Sequence, residues 1–258
     1  MELINTPGKD PWEALKQFTA ARIALGRTGS GLPTNAMLRF KLAHAHARDA
    51  VHAPLDTSHI KEGLKERKLS VIEVASKAAD RITYLQRPDL GRVPDAYSIT
   101  SLQEQAFPCD VCIVIADGLS ARAIHLYALP LLDELLPLLE AAGKTLAPVC
   151  VATQARVALA DHIAFHLKAR LSVILIGERP GLSASDSMGA YLTFEPRPGL
   201  TDDSRNCISN IRPEGISSQL AAAKLFYLIR EAFERKISGV ALKDNYGLLP
   251  DASDERLL

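Results

Sequence analysis

The sequence predicts an α/β protein in which a Rossmann-like, three-layer domain is built around a parallel sheet and follows an N-terminal helical region. Continuous apolar runs that end in turn residues, such as VCIVIA at Val111–Ala116, are typical of strands buried on both faces. From about residue 110 such runs alternate with long helical patterns, which favours parallel strands joined by right-handed crossovers. We therefore assign residues 1–95 to the helical region and residues 96–258 to the Rossmann-like domain.

The first region contains four segments with helical patterns and one connection. Prolines at positions 11 and 33 suit the first turn of a helix, and apolar residues recur at helical spacing after them. The predicted helices are Pro11–Leu25, Pro33–Val51, Thr57–Arg67 and Ser70–Lys77. The stretch QRPDLGRVPD at Gln86–Asp95 is rich in proline, glycine and charge, so we expect it to connect elements.

The second region alternates between strands and helices. The predicted strands are Val111–Ala116, Leu146–Ala152, Leu171–Ile176 and Tyr191–Phe194. The predicted helices are Ser120–Ala142, Thr153–Arg170 and Ser217–Lys236. Pro130 and Pro137 are expected to break the first of these helices, because proline has no backbone N–H to donate. The polar segment Arg205–Arg212 is expected to be a loop.

The composition limits the classes of partner. The chain of 258 residues carries 30 basic and 30 acidic side chains, so its net charge does not favour binding to nucleic acid or to an anionic membrane. No window approaches the roughly 18 consecutive apolar residues of a membrane-spanning helix. The N-terminal residues lack the apolar core of a secretory signal, which indicates a cytoplasmic protein.

Ligands of open α/β sheets bind in the crevice beyond the carboxyl ends of the strands. Three segments of this sequence follow predicted strands and are expected to meet there. They are Asp117–Ser120, Thr153–Val157 and Gly177–Leu182. The polar segment 205–212 is dense in hydrogen-bonding groups and is expected to join them.

Each candidate in the crevice also has a purely structural interpretation. Asp117 suits the N-cap of the helix that follows it. Glu178 and Arg179 suit an exposed surface pair, and Cys207 suits a thiol without function. The residues alone leave these alternatives open.

Cysteine and histidine spacing gives little support for a metal or redox site. Cys109 and Cys112 form a C-x-x-C pair, but no second pair or matching histidines complete a zinc site. His162 and His166 have the i, i+4 spacing of a shared ligand, but a surface pair fits better. The sequence contains no G-x-G-x-x-G, no G-x-x-x-x-G-K-[ST] and no G-x-S-x-G motif. A crevice that lacks an evident set of catalytic residues favours a role in binding or in assembly for this chain.

Short blocks of distinctive sequence fall in order between residues 21 and 211. They are Ala21–Gly29, Pro33–Thr34, Leu38–Phe40, His44–Asp49, Tyr84–Arg92, Ala116–Ser120, Ile176–Leu182 and Asn206–Ile211. Together the blocks resemble the small, or light, subunit of ethanolamine ammonia-lyase. None of them is specific alone, but the series covers most of the chain.

The resemblance implies a Rossmann-like domain with an N-terminal helical part. It also implies a subunit of an adenosylcobalamin-dependent lyase that converts ethanolamine to acetaldehyde and ammonia by a radical mechanism. The implied partner is the large subunit, whose (β/α) barrel holds the substrate, in a hetero-oligomer of six large and six small chains. The cofactor is expected to lie between the subunits, so the small chain contributes no catalytic residue and is inactive alone.

Three cofactor contacts of the family carry over to matching residue types. They are Val157 after Arg156, Glu178 of the IGERPGL block and Cys207 of the NCISNI block. Glu178 and backbone groups near the other two are expected to hydrogen-bond the amide side chains of the corrin, while Val157 supplies apolar contact. No histidine lies two positions after an aspartate, so the D-x-H-x-x-G motif is absent. The cofactor is therefore expected to be bound base-on, with its own dimethylbenzimidazole on cobalt.

Two other functional interpretations stay open. One is a stand-alone corrinoid-binding module without catalysis, which predicts a well-behaved monomer that binds cobalamin. The other is an enzyme of unknown substrate, which predicts turnover by the isolated chain. Few residues precede Pro11, whereas relatives that enter a bacterial microcompartment often carry a longer N-terminal extension. This puts encapsulation in doubt and makes a plain cytoplasmic complex at least as good an expectation.

Overall fold

The computed structural model describes residues 12–19 and 21–247 of the chain. Within these residues six strands, numbered in chain order, form one sheet. The strands are β1 (Val71–Ala75), β2 (Cys109–Ala116), β3 (Val149–Thr153), β4 (Ala169–Gly177), β5 (Met188–Phe194) and β6 (Asn206–Ile211). The same part of the chain contains seven α-helices. They are α1 (Thr34–His52), α2 (Thr57–Glu66), α3 (Arg81–Gln86), α4 (Ala96–Glu104), α5 (Ala121–Ala141), α6 (Leu159–His166) and α7 (Ser218–Arg235).

The sheet has the strand order β1-β3-β2-β4-β5-β6. The first four strands in this order are parallel, as the alternation of strands and helices predicts. β5 runs antiparallel to β4, and β6 antiparallel to β5, so β6 points in the same direction as β4. Residues 178–187 join β4 to β5 without a helix, and a connection this short suits an antiparallel return better than a crossover. The α/β prediction is confirmed, with a sheet that is mostly parallel.

Helices cover the two sides of the sheet unequally. α2, α5 and α7 pack on one side, which we name the covered side, and they bury alternate residues of strands β2 to β6. α4 and α6 pack on the other side, which we name the open side, and they bury residues of β1, β3, β2 and β4. The protein therefore has the predicted three layers, but the layer on the open side does not extend over the whole sheet.

The helix α5 runs through two prolines without a break, so the predicted interruption at Pro130 and Pro137 is wrong. Neither proline donates a hydrogen bond to the preceding turn. The helix nevertheless buries a continuous apolar face that includes Leu132 and Leu135, and this packing stabilises it. No helix in the described part of the chain has the length and apolar character needed to cross a membrane.

The N-terminal segment forms less helix than its pattern predicts. Pro11, where the first predicted helix begins, lies outside the described residues. A short 3-10 helix at Glu13–Phe18 is the helical structure recorded in the described part of this stretch. The prediction of a helix reaching Leu25 is therefore wrong, whereas the next helix, α1, is confirmed.

The helix predicted at Ser70–Lys77 is wrong, because this segment contains the strand β1. β-branched residues suit a pleated strand, and β1 pairs along its full length with β3, from Val71 opposite Val149 to Ala75 opposite Thr153. β1 is thus an edge strand of the sheet, although it precedes the predicted domain boundary at residue 95. The division of the chain at that boundary stays a prediction.

Two segments of the second region also differ from the prediction. The helix predicted from Thr153 to Arg170 is wrong at both ends, because α6 begins only at Leu159 and β4 has already begun at Ala169. The segment predicted as a loop at 205–212 contains β6 instead. Ile208 and Ile211 of this strand bury their side chains on the covered side, which gives the strand its place in the sheet.

Candidate functional site

The carboxyl ends of β2, β3 and β4 are followed by the three segments that the sequence places at a crevice. The loops after β2 and β4 are in direct contact. Gly118 has a left-handed φ of 54°, and a Cβ at this position would lie 2.2 Å from the carbonyl oxygen of Gly177. Only glycine permits such an approach, so these two loops form one edge of the crevice.

Asp117, at the end of β2, does not cap the helix that follows it. The N-cap residue of α5 is Ser120. The Asp117 carboxylate instead accepts the backbone N–H groups of Gln154 and Ala155 at 2.9 and 3.0 Å. Arg81 pairs with the same carboxylate at 3.3 Å. The capping interpretation is therefore wrong, and Asp117 connects the end of β2 to the loop after β3.

The open side of the sheet carries α6 over β2 and β4, and Thr193 near the end of β5 is also buried there, at 2% exposed. Tyr191 of β5 is only partly buried on this side, and Cys207 of β6 is exposed. In the described chain, the helices with extensive contacts to β5 and β6 are α5 and α7, which lie on the covered side. The alternate residues of these two strands therefore lie on the open side. Gly189 and Tyr191 of β5 and Cys207 of β6 belong to this set, and we name their surroundings the open patch.

Glu178 follows β4 directly and its side chain lies on the open patch. Its two carboxylate oxygens accept the backbone N–H of Asn210 at 3.3 and 3.2 Å. A Cβ at Gly189 would lie 3.1 Å from Oε1 of Glu178 and 3.2 Å from Cε2 of Tyr191. The glycine thus leaves room for the carboxylate beside the tyrosine ring. Glu178 is partly buried and is held by β5 and β6 rather than extended into solvent.

Tyr191 and Cys207 lie opposite each other in the β5–β6 pair and share a side-chain hydrogen bond. Burial raises the pKa of the Tyr191 hydroxyl well above its usual range. Desolvation also raises the pKa of the Cys207 thiol, and the hydrogen bond with Tyr191 offsets this only in part. A thiol that stays protonated at neutral pH is a poor nucleophile, so Cys207 suits a contact role rather than covalent chemistry.

Val157 lies just before α6 and packs on the open side of the sheet, as Tyr191 does. A buried ion pair ties α6 to the chain that enters β6. The guanidinium of Arg205 binds the carboxylate of Asp161 in α6, and the two side chains are only 2% and 3% exposed. Removing either partner of such a pair leaves a desolvated charge, so the pair is costly to break. It fixes the helix after Val157 relative to the strand of Cys207.

The three residues expected to contact the cofactor therefore share one side of the sheet. Glu178 and Cys207 lie around Tyr191, and Val157 lies at the start of the helix on this side. β6 is an edge strand of the described sheet, and beyond it Ile216 pairs with Ile211 and donates its N–H to the carbonyl oxygen of Asn210. The open patch thus combines a carboxylate, a hydroxyl and apolar surface, a set that fits a large ligand bearing amide groups.

A family model described as "Ethanolamine ammonia-lyase light chain (EutC)" matches residues 9–243. The chain belongs to this family. A protein named "Ethanolamine ammonia-lyase small subunit" from Azotobacter vinelandii is 55% identical over 240 residues, which cover 92% of this chain and 89% of that relative. The small subunit of Pseudomonas paraeruginosa is 53% identical over 246 residues, covering 94% and 90%. That of Pseudomonas fluorescens is 50% identical over 250 residues, covering 95% and 90%.

Membership of the light-chain family confirms the resemblance and identifies the chain as a subunit of a lyase. Val157, Glu178 and Cys207 stay predicted contacts. The sequence reasoning missed Gly189 and Tyr191, although a signal for them was present. In the strand MGAYLTF every second residue, beginning with the methionine, is buried on the covered side, so the residues between them must face the open side.

Other residues with reactive side chains lie away from the open patch. Cys109 and Cys112 are buried free thiols of β2. A hydrogen bond with Cys150 and burial together raise the pKa of the Cys112 thiol well above its usual value. His162 and His166 lie on α6 and are partly exposed. Among residues 12–19 and 21–247, no group of three or more His, Cys, Asp or Glu side chains could hold a metal ion.

Proposed function

We propose that the chain is the small subunit of an adenosylcobalamin-dependent ethanolamine ammonia-lyase and that it holds the cobalamin against a large subunit. The complex converts ethanolamine to acetaldehyde and ammonia by a radical mechanism. The observation that supports the proposal is the open patch, in which Glu178, the partly buried Tyr191 and the exposed Cys207 lie together on the open side of the sheet. The names of the family and of the relatives support ethanolamine as the substrate.

Adenosylcobalamin, when bound, supplies the radical chemistry that removes a hydrogen atom from the substrate. The residues of this chain bind and orient it. Glu178 accepts hydrogen bonds from amide N–H groups, and backbone groups near Val157 and Cys207 bind further amides. Val157 supplies apolar contact from the start of α6. No histidine of the sequence belongs to a D-x-H-x-x-G motif, so the chain offers no such ligand in place of the cofactor's own base, and we propose base-on binding.

The large subunit is proposed to bind along α1 and the segment before it. The only buried residue of α1 is Ala50, whereas Leu38 and Leu42 are 59% and 57% exposed. Contiguous apolar surface of this kind is typical of a protein interface. The guanidinium of Arg22 donates to the carbonyl oxygen of Leu182 at 2.9 Å, which joins this segment to the loop after β4. A partner bound there would adjoin the open patch and exclude water from it.

The first experiment measures ammonia release from ethanolamine in the presence of adenosylcobalamin. Three samples are compared: this chain alone, the large subunit from the same genome alone, and the two mixed. Activity only in the mixture is the expected result. Light scattering of the mixture is expected to give the mass of six large and six small chains. Activity of this chain alone would contradict the proposal.

Replacing Glu178 by alanine tests the open patch within the active complex. The loss of a hydrogen bond to a charged acceptor is expected to weaken adenosylcobalamin binding by about tenfold, measured by absorbance titration. Glu140→Ala is the matched control, because Glu140 is an exposed carboxylate of α5 on the other side of the sheet. Equal affinity of the two variants would remove Glu178 from the site.

The same titration separates the proposal from its nearest alternative. Cobalamin binding by the isolated chain, with no ammonia release from the mixture, would instead support a corrinoid-binding module without catalysis. A cytoplasmic location is part of the proposal, and cell fractionation with an antibody against the chain would test it. Recovery of the chain with purified microcompartments would contradict that part.

A further inference from the structure

Residues 154–156 form the loop between β3 and Val157, and a buried carboxylate binds the beginning of this loop. Asp117 is 4% exposed. Its Oδ2 accepts the N–H of Gln154 at 2.9 Å, and its Oδ1 accepts the N–H of Ala155 at 3.0 Å. Each carboxylate oxygen thus holds a different backbone group of the loop.

The carbonyl groups of the same two loop residues are also bound by side chains. The hydroxyl of Ser76 donates to the carbonyl oxygen of Gln154 at 2.7 Å. The hydroxyl of Tyr84, which is fully buried, donates to the carbonyl oxygen of Ala155 at 2.9 Å. Four hydrogen bonds from three distant parts of the chain therefore fix the backbone N–H and C=O groups of two consecutive residues.

The loop needs such support because its backbone is unfavourable at Gln154. This residue has a φ of 53°, in the left-handed region that non-glycine residues avoid. Arg81 donates both to Asp117 and to the side-chain oxygen of Gln154, each at 3.3 Å. Burial raises the pKa of the Asp117 carboxyl, while the two loop N–H groups and Arg81 favour its charged form.

We propose that Asp117 is a positioning residue for the cofactor site, since it fixes through two backbone N–H groups the loop that presents Val157. The inference rests on the proposed function and deepens it. Asparagine at this position keeps the shape of the side chain but has one acceptor oxygen instead of two. Asp117→Asn therefore leaves one loop N–H facing an amide NH₂ group, which releases the loop without emptying the core.

Asp110 offers a matched control at the opposite end of the same strand. Its Oδ2 accepts the backbone N–H of Thr145 at 3.0 Å, and its Oδ1 lies 3.4 Å from the guanidinium of Arg170. Both aspartates therefore tie a loop N–H and an arginine to β2. Asp110 lies at the amino end of the parallel strands, away from the crevice. Asp110→Asn is expected to leave cofactor binding unchanged.

The experiment uses the complex of this chain with its large subunit and two measurements. For Asp117→Asn, absorbance titration is expected to show adenosylcobalamin binding weakened by about tenfold or more. Hydrogen exchange of the complex without cofactor is expected to show faster exchange of the amides of Gln154 and Ala155. Asp110→Asn is expected to change neither quantity. Unchanged affinity of Asp117→Asn, or an equal loss in both variants, would overturn the positioning role.

A second variant covers the case in which Asp117→Asn fails to fold. Tyr84→Phe removes only the hydroxyl that binds the carbonyl of Ala155 and is expected to weaken cofactor binding by about threefold to fivefold. Unchanged binding by a folded Tyr84→Phe variant would contradict the proposal that these hydrogen bonds position the loop before Val157. Failure of the unaltered complex to bind adenosylcobalamin would refute the proposed function itself, which keeps the two failures distinguishable.

Discussion

The two sides of the sheet differ in how far their helices reach across β5 and β6. On the covered side, Leu192 of β5 and Ile208 of β6 are 1% and 4% exposed, because α7 packs over both strands. On the open side, Tyr191 is only partly buried and Cys207 is exposed. The same two strands therefore bury one set of alternate residues fully, whereas on the open side Tyr191 and Cys207 keep accessible surface although Thr193 is buried.

This difference follows from the way the chain returns after β4. A crossover connection places a helix against the sheet, whereas the antiparallel return from β4 to β5 contains none. The helix that follows β6 is α7, and it packs on the covered side. One side of the strand pair thus serves stability while the other remains available for a ligand. Substitutions on the two sides should separate these functions.

The largest expected effect comes from shortening a side chain on the covered side. Leu132 of α5 is 0% exposed, so Leu132→Ala is expected to lower the free energy of unfolding by about 2–5 kcal/mol. Val157→Ala, on the open side, is expected to cost less than about 1 kcal/mol because its side chain is already partly exposed. Urea unfolding of the purified chain measures both. Equal losses of unfolding free energy in the two variants would show that the two sides of the sheet contribute equally to stability.

A methyl group added to the open patch is expected to have a smaller effect on stability than on binding. In Gly189→Ala the new Cβ would lie 3.1 Å from Oε1 of Glu178, so the carboxylate or the ring of Tyr191 must shift. We expect cobalamin affinity to fall by about tenfold and unfolding free energy by about 1 kcal/mol or less. Gly143→Ala is the control, because no atom lies within 4 Å of its Cβ and the residue lies in the turn after α5. Its left-handed φ of 64° makes alanine lose some stability there, but cobalamin affinity is expected to stay unchanged. A wild-type affinity for Gly189→Ala would show that the patch tolerates rearrangement.

The smallest expected effect is a change in the pH dependence of stability, caused by a histidine on the covered side of the sheet. His125 of α5 accepts the backbone N–H of Asp56 through Nε2 at 2.8 Å, and desolvation together with His59 lowers its pKa. The folded protein therefore binds this proton less readily than the unfolded chain, so stability falls as the pH drops below about 6.5. His125→Gln is expected to reduce that fall by roughly 0.5 kcal/mol, because partial solvent exposure screens the effect.

Urea unfolding at pH 7.5 and 5.5 measures this pH dependence. His44→Gln is the control, because His44 lies exposed on α1. An identical pH dependence in His125→Gln and in the unaltered chain would contradict the prediction. The pKa values of His162 and His166 are also lowered by burial, so some pH dependence is expected to remain in the variant.

The sequence predicts the central strands and misses those at the edges, for a physical reason. β2 and β4 are buried on both faces and appear as continuous apolar runs. β1 is buried only at alternate positions, and its Glu73 reaches out to bind Lys61 at 2.6 Å. In β6 a bulge opposite Met188 and Ala190 separates the two buried isoleucines by three residues instead of two. Because the buried residues of β6 do not alternate, the sequence pattern does not indicate a strand.

The sequence predicts where the residues of the candidate site lie, but it does not predict the contacts between them. The general rule for parallel sheets places Val157 and Glu178 at the carboxyl ends of strands, and the structure agrees. The hydrogen bond between Tyr191 and Cys207 depends on a strand that the sequence conceals. The hydrogen bonds of Asp117 to Gln154 and Ala155 join residues far apart in the chain, and no local sequence pattern reveals them.

The antiparallel return of β5 and β6 also determines when, during synthesis, the open patch first exists. Translation proceeds from the N-terminus, and domains generally fold as units in that direction. The four parallel strands are complete at Gly177, whereas β5, β6 and α7 extend from Met188 to Arg235. A nascent chain that has emerged only as far as Gly177 has its parallel strands and Val157 but lacks Glu178, Tyr191 and Cys207 of the open patch. Under the proposed function, cobalamin would therefore stabilise only the nearly finished chain.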